Sequence, residues 1–97
     1  MHDAERWAIA EPSELAWREW EGEIVLYDCR AGDVHRLEGV AAELFDTLLA
    51  GPADLESLIA QVSTALAIER SAELAGAIES AVRDLHVSGV LRPVWRA

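Results

Sequence analysis

Residues 15–28 read Leu-Ala-Trp-Arg-Glu-Trp-Glu-Gly-Glu-Ile-Val-Leu-Tyr-Asp, and the topology of the chain follows from them. Two runs rich in aromatic and β-branched residues flank Glu21-Gly22, where glycine supplies the positive φ that a tight hairpin turn requires. A two-residue loop sets Trp20 opposite Glu23 and so fixes the register. One face of the hairpin is then apolar and the other only partly so. The first face holds Leu15, Trp17, Ile24 and Leu26; the second holds Arg18, Trp20, Val25 and Tyr27.

A second turn, at residues 30–32, leads into a short third strand, Asp33–Leu37. A loop of even length places His35 and Leu37 on the core face and directs the residues between them to the other face. The strand contains no proline, so every backbone donor in it remains available. We expect this strand to lie at the rim of the sheet.

Three amphipathic helices follow the strands. The first ends at Gly51-Pro52, because glycine supplies a left-handed cap and proline cannot continue a helix. Asp54 caps the second helix, and the third begins near Ser71 and ends at Gly89. Residues 90–95 form a short closing strand or a tail. The apolar stripes are Val40, Leu44, Phe45, Leu48 and Leu49, then Leu55, Leu58, Ile59, Val62 and Leu66, then Leu74, Ile78, Ala81, Val82 and Leu85.

This order of elements predicts an α+β, winged-helix-like fold, with a three-stranded antiparallel sheet (β-β-β) followed by three helices on one of its faces. We expect one domain at residues 14–92, a flexible lead-in at residues 1–13 and a tail at residues 93–97. On the second sheet face, Trp20, Val25 and Tyr27 form an apolar patch. We expect the lead-in or tail, a partner protein or a second copy in a homodimer to cover it.

Charge and composition narrow the classes of partner. Eighteen acidic residues oppose eight basic ones, for a net charge of −10. The basic residues are all arginines spread along the chain, so we do not expect nucleic acid as a partner. A basic peptide or protein face is easier to accommodate. The apolar stretches are too short for a membrane span, no signal peptide is visible, and the lone Cys29 fits a reducing compartment, so we expect the cytoplasm.

The sequence contains no motif or residue spacing that is typical of a catalytic site or a metal site. His35 has no second histidine at ligand spacing, whereas zinc needs about four ligands, so we expect neither metal nor cofactor. Cys29 with His35 and Asp28 or Asp33 has the residue types of a nucleophile, base and orienter, but no helix N-terminus or glycine cluster supports that chemistry. We expect Cys29 to be a small packed residue and His35 to be hydrogen-bonded within the sheet. We therefore predict from the sequence that the protein is not an enzyme.

Four short segments follow one another at fixed spacing: Trp17-Arg18-x-Trp20-x-Gly22-Glu23-x-Val25-x-Tyr27, Gly32-x-x-His35-x-Leu37, Ala41-Ala42-Glu43-Leu44 and Leu48-Leu49-x-Gly51-Pro52. In this order they resemble the PqqD-like proteins, also called RiPP recognition elements, and among these the branch associated with HPr-kinase-related gene systems. The resemblance covers roughly residues 14–92. The lead-in and the tail lie outside it.

The resemblance implies a three-stranded sheet packed on three helices, and it implies a task. Such proteins hold the leader segment of a ribosomally made precursor peptide and present it to a modifying enzyme. In them the leader lies as an added strand on the third strand, against the third helix. The implied partners are therefore a precursor peptide and either a modifying enzyme or an HPr-kinase-related protein.

The residues of this chain permit such an arrangement. An edge strand offers unpaired main-chain groups, and strand addition is a standard mode of peptide recognition. The third helix alternates large and small residues, which predicts a groove floor for apolar leader side chains, and Glu79 adds charge at its rim. The expected peptide-binding residues are Asp33, Val34, His35, Arg36, Leu37, Glu73, Leu74, Ala77, Ile78 and Ala81.

The alternative is a winged-helix-type regulatory or protein-docking subunit that binds no peptide. A DNA-reading regulator needs a basic recognition helix. The third helix and the residues just before it offer only Arg70 and Arg83, against Glu69, Glu73, Glu79 and Asp84.

Overall fold

The computed structural model describes residues 6–95. As predicted, the fold is α+β: a three-stranded antiparallel sheet is followed by three helices, and a small two-stranded sheet joins the two ends. A one-turn 3-10 helix, Pro12–Glu14, precedes the second strand. The elements are β1 (Arg6–Ile9), β2 (Leu15–Trp20), β3 (Glu23–Asp28), β4 (Asp33–Glu38), α1 (Val40–Leu49), α2 (Leu55–Leu66), α3 (Ala72–Val87) and β5 (Leu91–Val94).

The main sheet has the strand order β2-β3-β4, so the predicted third strand is β4. Glu21 and Gly22 both have positive φ, at 52° and 75°, as the mirror-image two-residue hairpin turn requires. Trp20 pairs with Glu23, which confirms the predicted register. His35 lies opposite Leu26 on the inner face, the one turned toward the helices.

The core lies between the inner face of the sheet and the three helices. Phe45 of α1 is fully buried, and the ring of Trp17 meets it edge-on at a centroid distance of 5.7 Å. Each predicted helical stripe contributes to this core. Its fully buried members include Ile24, Leu26, Leu44, Phe45, Leu58, Val62 and Ile78.

Side-chain caps begin α2 and α3 where the sequence predicts them. The Asp54 carboxylate accepts a hydrogen bond from the Ser57 N–H at 2.7 Å, and this bond lowers the pKa of Asp54. The Ser71 hydroxyl accepts from the Leu74 N–H at 3.0 Å. Each cap satisfies a backbone donor that has no partner within its helix.

The flexible lead-in predicted for residues 1–13 is wrong for residues 6–9, which form β1 and pair with β5. Trp7 lies opposite Pro93, which has no N–H to donate, and Trp7 turns its own N–H and C=O to Ala53 at 2.7 and 3.0 Å. The proline is therefore tolerated, and the predicted tail contributes half of a strand. Four-residue strands so far apart in sequence carry no periodicity that would reveal their pairing.

The outer face of the main sheet, which bears Trp20, Val25, Tyr27 and Val34, is not covered by the described part of the lead-in or tail. Strands β1 and β5 pack against α1 and α3 instead, and the ring of Trp7 meets that of His86 at 5.2 Å. Trp20 is 46% exposed, Tyr27 44% and Val34 65%. Cover from residues 6–13 and 93–95 is thus excluded, and within the described part of the chain the outer face is open.

The left-handed backbone of Glu21 gives a test of the hairpin. Asparagine tolerates this conformation better than glutamate and is favoured before glycine in such turns. We expect Glu21→Asn to raise the free energy of unfolding by about 0.5–1 kcal/mol, and so the thermal midpoint by a few degrees. The control is Glu19→Gln, which removes one charge nearby without touching the turn. A midpoint of Glu21→Asn at or below that of the wild type would contradict this account.

Candidate functional site

Strand β4 lies at the edge of the sheet, because within residues 6–95 it pairs only with β3. In an antiparallel ladder, successive residues direct their N–H and C=O groups alternately toward and away from the partner strand. The pair Trp20 and Glu23 closes a two-residue turn and is hydrogen-bonded, which fixes the alternation across the sheet. Counting from it, Val34 and Arg36 direct their main-chain groups outward, away from β3.

A groove of about 440 Å³ runs between β4 and α3. Leu37 and Leu85 are buried at its base and Ala81 is half-buried, so this part of the groove is apolar. Asp84 and Ser88 are exposed on the helix side. The complete lining is Val34, His35, Arg36 and Leu37 from β4, Ala41 from α1, Ala81, Asp84 and Leu85 from α3, and Ser88, the residue that follows α3.

The structure brings five of the ten predicted peptide-binding residues together in this groove: Val34, His35, Arg36, Leu37 and Ala81. Asp33 is exposed where β4 begins, outside the lining. Leu74 and Ile78 are buried in the core rather than at the groove wall. Glu73 and Ala77 are exposed on the first half of α3, beyond the groove, because β4 passes the C-terminal half of that helix.

Three lining residues at the C-terminal end of α3 are absent from the sequence-based prediction: Asp84 and Leu85 of the helix, and Ser88 directly after it. They continue the helical stripe of Ala81 toward the C-terminus at spacings of three and four residues. Extending that stripe by two turns finds them, but helical periodicity alone does not say where along a helix a strand will cross it.

A buried carboxylate positions the start of β4. Asp28 is 2% exposed, and its Oδ1 accepts hydrogen bonds from the N–H groups of Arg30 and Ala31 at 3.0 and 3.3 Å. The Arg30 Nε lies 3.7 Å from the same oxygen, and its Nη2 donates to the Gly89 carbonyl at 3.2 Å. Arg30 therefore ties the β3–β4 turn to the end of α3, at one end of the groove.

His35 differs from its prediction. Its side chain is half-buried on the inner face, and its Nε2 is shielded from solvent with no hydrogen-bond partner in the described part of the chain. The expectation that the ring is hydrogen-bonded within the sheet is therefore wrong for this nitrogen. A buried polar atom without a partner is uncommon in folded proteins and calls for an explanation.

The two charged residues of the groove differ in their surroundings. Arg36 donates a hydrogen bond to the Glu23 carboxylate across the sheet, and this bond and that charge raise the pKa of Arg36. Its positive charge is thus compensated within the protein. Asp84 makes no ion pair with any residue from 6 to 95, so it is the uncompensated acidic group of the groove.

Other parts of the described chain do not add a catalytic or metal centre. A larger groove, about 530 Å³, lies between α1 and α2 and is lined mainly by polar residues, among them Arg6 of β1. Cys29 is exposed in the turn after β3, so its predicted packing is wrong. Within residues 6–95, no three His, Cys, Asp or Glu side chains converge as metal ligands, and no helix is long and apolar enough to cross a membrane.

Comparisons with known proteins show a likeness in fold. The sequence matches no family model, and no curated protein matches it as a relative. The fold is similar to that of a solved structure of TbiB1 in complex with the TbiA(beta) leader peptide, with a TM-score of 0.73 and 16% sequence identity. The likeness covers 88% of this chain and 94% of that chain.

Removing the Asp28 carboxylate tests how the turn before β4 is held. In Asp28→Ala the N–H groups of Arg30 and Ala31 lose their acceptor, so we expect the free energy of unfolding to fall by about 1–3 kcal/mol. Asp28→Asn is the matched control, because it keeps an oxygen at the same place and loses only the attraction to Arg30. Chemical denaturation measures both. Equal stability of Asp28→Ala and the wild type would show that the carboxylate does not hold the turn.

Proposed function

We propose that this chain is a cytoplasmic, non-catalytic adaptor that holds the leader segment of a ribosomally made precursor peptide and presents it to a modifying enzyme. The leader joins the main sheet as a further strand alongside β4. Its alternate side chains enter the β4–α3 groove. The single observation that carries the proposal is the unpaired edge of β4 lying beside a partly apolar groove.

The choice of edge follows from the position of the groove. Strands β2 and β4 both lie at edges of the sheet, but the β4–α3 groove borders β4 alone. Strand addition needs main-chain partners for affinity and side-chain pockets for selectivity, and the β4 edge beside the groove offers both.

The free energies of binding indicate that a peptide needs the groove as well as the strand edge. Val34 and Arg36 offer an N–H and a C=O each, and every main-chain hydrogen bond contributes about 0.5–1.5 kcal/mol net. A few such bonds roughly match the cost of immobilising a peptide, which is at least about 4 kcal/mol. Measurable affinity therefore depends on apolar side chains buried at the base formed by Leu37, Ala81 and Leu85.

Two likenesses support the proposal. TbiB1, which shares the fold, was solved with a leader peptide bound. The sequence itself resembles PqqD-like proteins over roughly residues 14–92. Neither likeness names the precursor, but both favour a peptide over other ligands for an edge of this kind.

The charge on α3 argues against the regulatory alternative. The helix carries one arginine, Arg83, against Glu73, Glu79 and Asp84. Arg70 lies before the helix and forms an ion pair with Glu56. A recognition helix of this composition repels the phosphate backbone rather than binding it.

The outer face is the proposed docking surface for the modifying enzyme. Val34 and Arg36 of β4 border both this face and the groove, so an enzyme on the face would lie next to the bound leader. A net charge of −10 on each chain disfavours a second copy as occupant. The proposed enzyme is of the kind found with PqqD-like proteins, or an HPr-kinase-related protein.

Proline at position 34 tests strand addition. The change removes an N–H that points outward, so it deletes a bond to the peptide and none within the sheet. We expect Val34→Pro to abolish binding of short random peptides selected by phage display on the wild-type protein, as measured by fluorescence anisotropy. Val34→Ala, which keeps the N–H, should bind within a few-fold of the wild type. If the two variants, both folded by circular dichroism, bind equally well, strand addition is wrong.

Serine substitutions on the outer face test enzyme docking. We expect the double variant Trp20→Ser, Tyr27→Ser to lose co-purification with an enzyme expressed from the neighbouring genes, while its affinity for a selected peptide is unchanged. The control is Ile68→Ser. Ile68 is 45% exposed, which is close to the 46% of Trp20, but it lies outside the sheet. Retention of the enzyme by the double variant would remove the outer face as the docking surface.

A further inference from the structure

His35 occupies a position where the fold has no use for a polar side chain. It lies on the inner face opposite Leu26, which is fully buried. Its Nε2 is shielded from solvent and unpartnered among residues 6–95. An apolar residue at this position would leave no hydrogen-bonding group unsatisfied, so the fold alone does not account for a histidine here.

The same side chain lines the β4–α3 groove. In a strand added to β4, every second side chain points to the inner face, where it enters the groove beside His35. Across the groove it meets small Ala81 and the carboxylate-bearing Asp84 of α3. A peptide side chain at this position is therefore close to one ring, one methyl group and one negative charge.

We infer that His35 determines the selectivity of the site by hydrogen-bonding a peptide side chain that bears a hydroxyl group, serine or threonine. The inference rests on the proposed function. A hydroxyl both donates and accepts, so it satisfies Nε2 in either neutral tautomer of the ring. A carboxylate is disfavoured by Asp84, and an ammonium or guanidinium group is drawn to Asp84 rather than to the ring.

Binding requires a movement of the ring. Because Nε2 is shielded in the free protein, the imidazole turns about its Cβ–Cγ bond, or the groove widens, as the peptide enters. The environment of this nitrogen then changes from an unpartnered to a hydrogen-bonded one. The ring ¹⁵N resonances of His35 in the full chain report this change directly.

The experiment uses peptides selected by phage display on the wild-type full chain. We expect them to carry serine or threonine at one fixed position. Replacing that residue by valine, which has the shape of threonine without its hydroxyl, should weaken binding to the wild type on the order of tenfold. In His35→Leu the same replacement should cost nothing, whereas His35→Gln, whose amide reaches the place of Nε2, should keep the discrimination.

A stability readout accompanies the binding data. Because leucine removes an unsatisfied buried nitrogen, the thermal midpoint of His35→Leu should equal or exceed that of the wild type. The inference is overturned if the valine peptide binds the wild type as well as the hydroxyl peptide, or if His35→Leu discriminates equally, while Val34→Pro still abolishes binding. In that case the proposed function stands. If Val34→Pro has no effect, or if no peptide is selected, the proposed function fails and the inference with it.

Discussion

Asp28 carries a carboxylate into the interior, where a charge without partners costs several kcal/mol. Two backbone N–H groups and the guanidinium of Arg30 compensate that charge, and all three belong to the turn between β3 and β4. The same guanidinium reaches the carbonyl of Gly89 at the end of α3. The turn before β4 and the end of α3 are therefore joined through one arginine in the protein without a bound peptide.

An open strand edge is a hazard as well as a binding surface, because it can pair with any other exposed strand. Strand β4 carries charged side chains at Asp33, Arg36 and Glu38, and the chain as a whole has a charge of −10. Both features disfavour pairing between copies of the protein. A ligand that reaches into the groove gains contacts that a second copy does not, so the same edge remains open to a peptide.

The parts of the structure that sequence predicts are those governed by local rules. Glu21-Gly22 fixes a two-residue turn and with it the pairing of β2 with β3, and Asp54 marks the start of α2 through its own side chain. The residues that β4 contributes to the site follow from the alternation of side chains along the paired strands. The helix half of the site does not follow in this way, since the point where β4 crosses α3 depends on contacts between residues far apart in sequence, such as that between Arg30 and Gly89, 59 residues apart. The pairing of β1 with β5 is likewise not predictable from the sequence, because the two strands lie at opposite ends of the chain and each has only four residues, too few to show a period.

The pairing of β1 with β5 also has a consequence for how the domain can be joined to others. Arg6 lies opposite Val94, so the two ends of the described chain leave the molecule side by side. A polypeptide attached at the front of the domain and one attached at the back therefore start from the same place. With a linker of given length, a tethered catalytic domain has nearly the same reach to the groove from either end, and so the same effective concentration there.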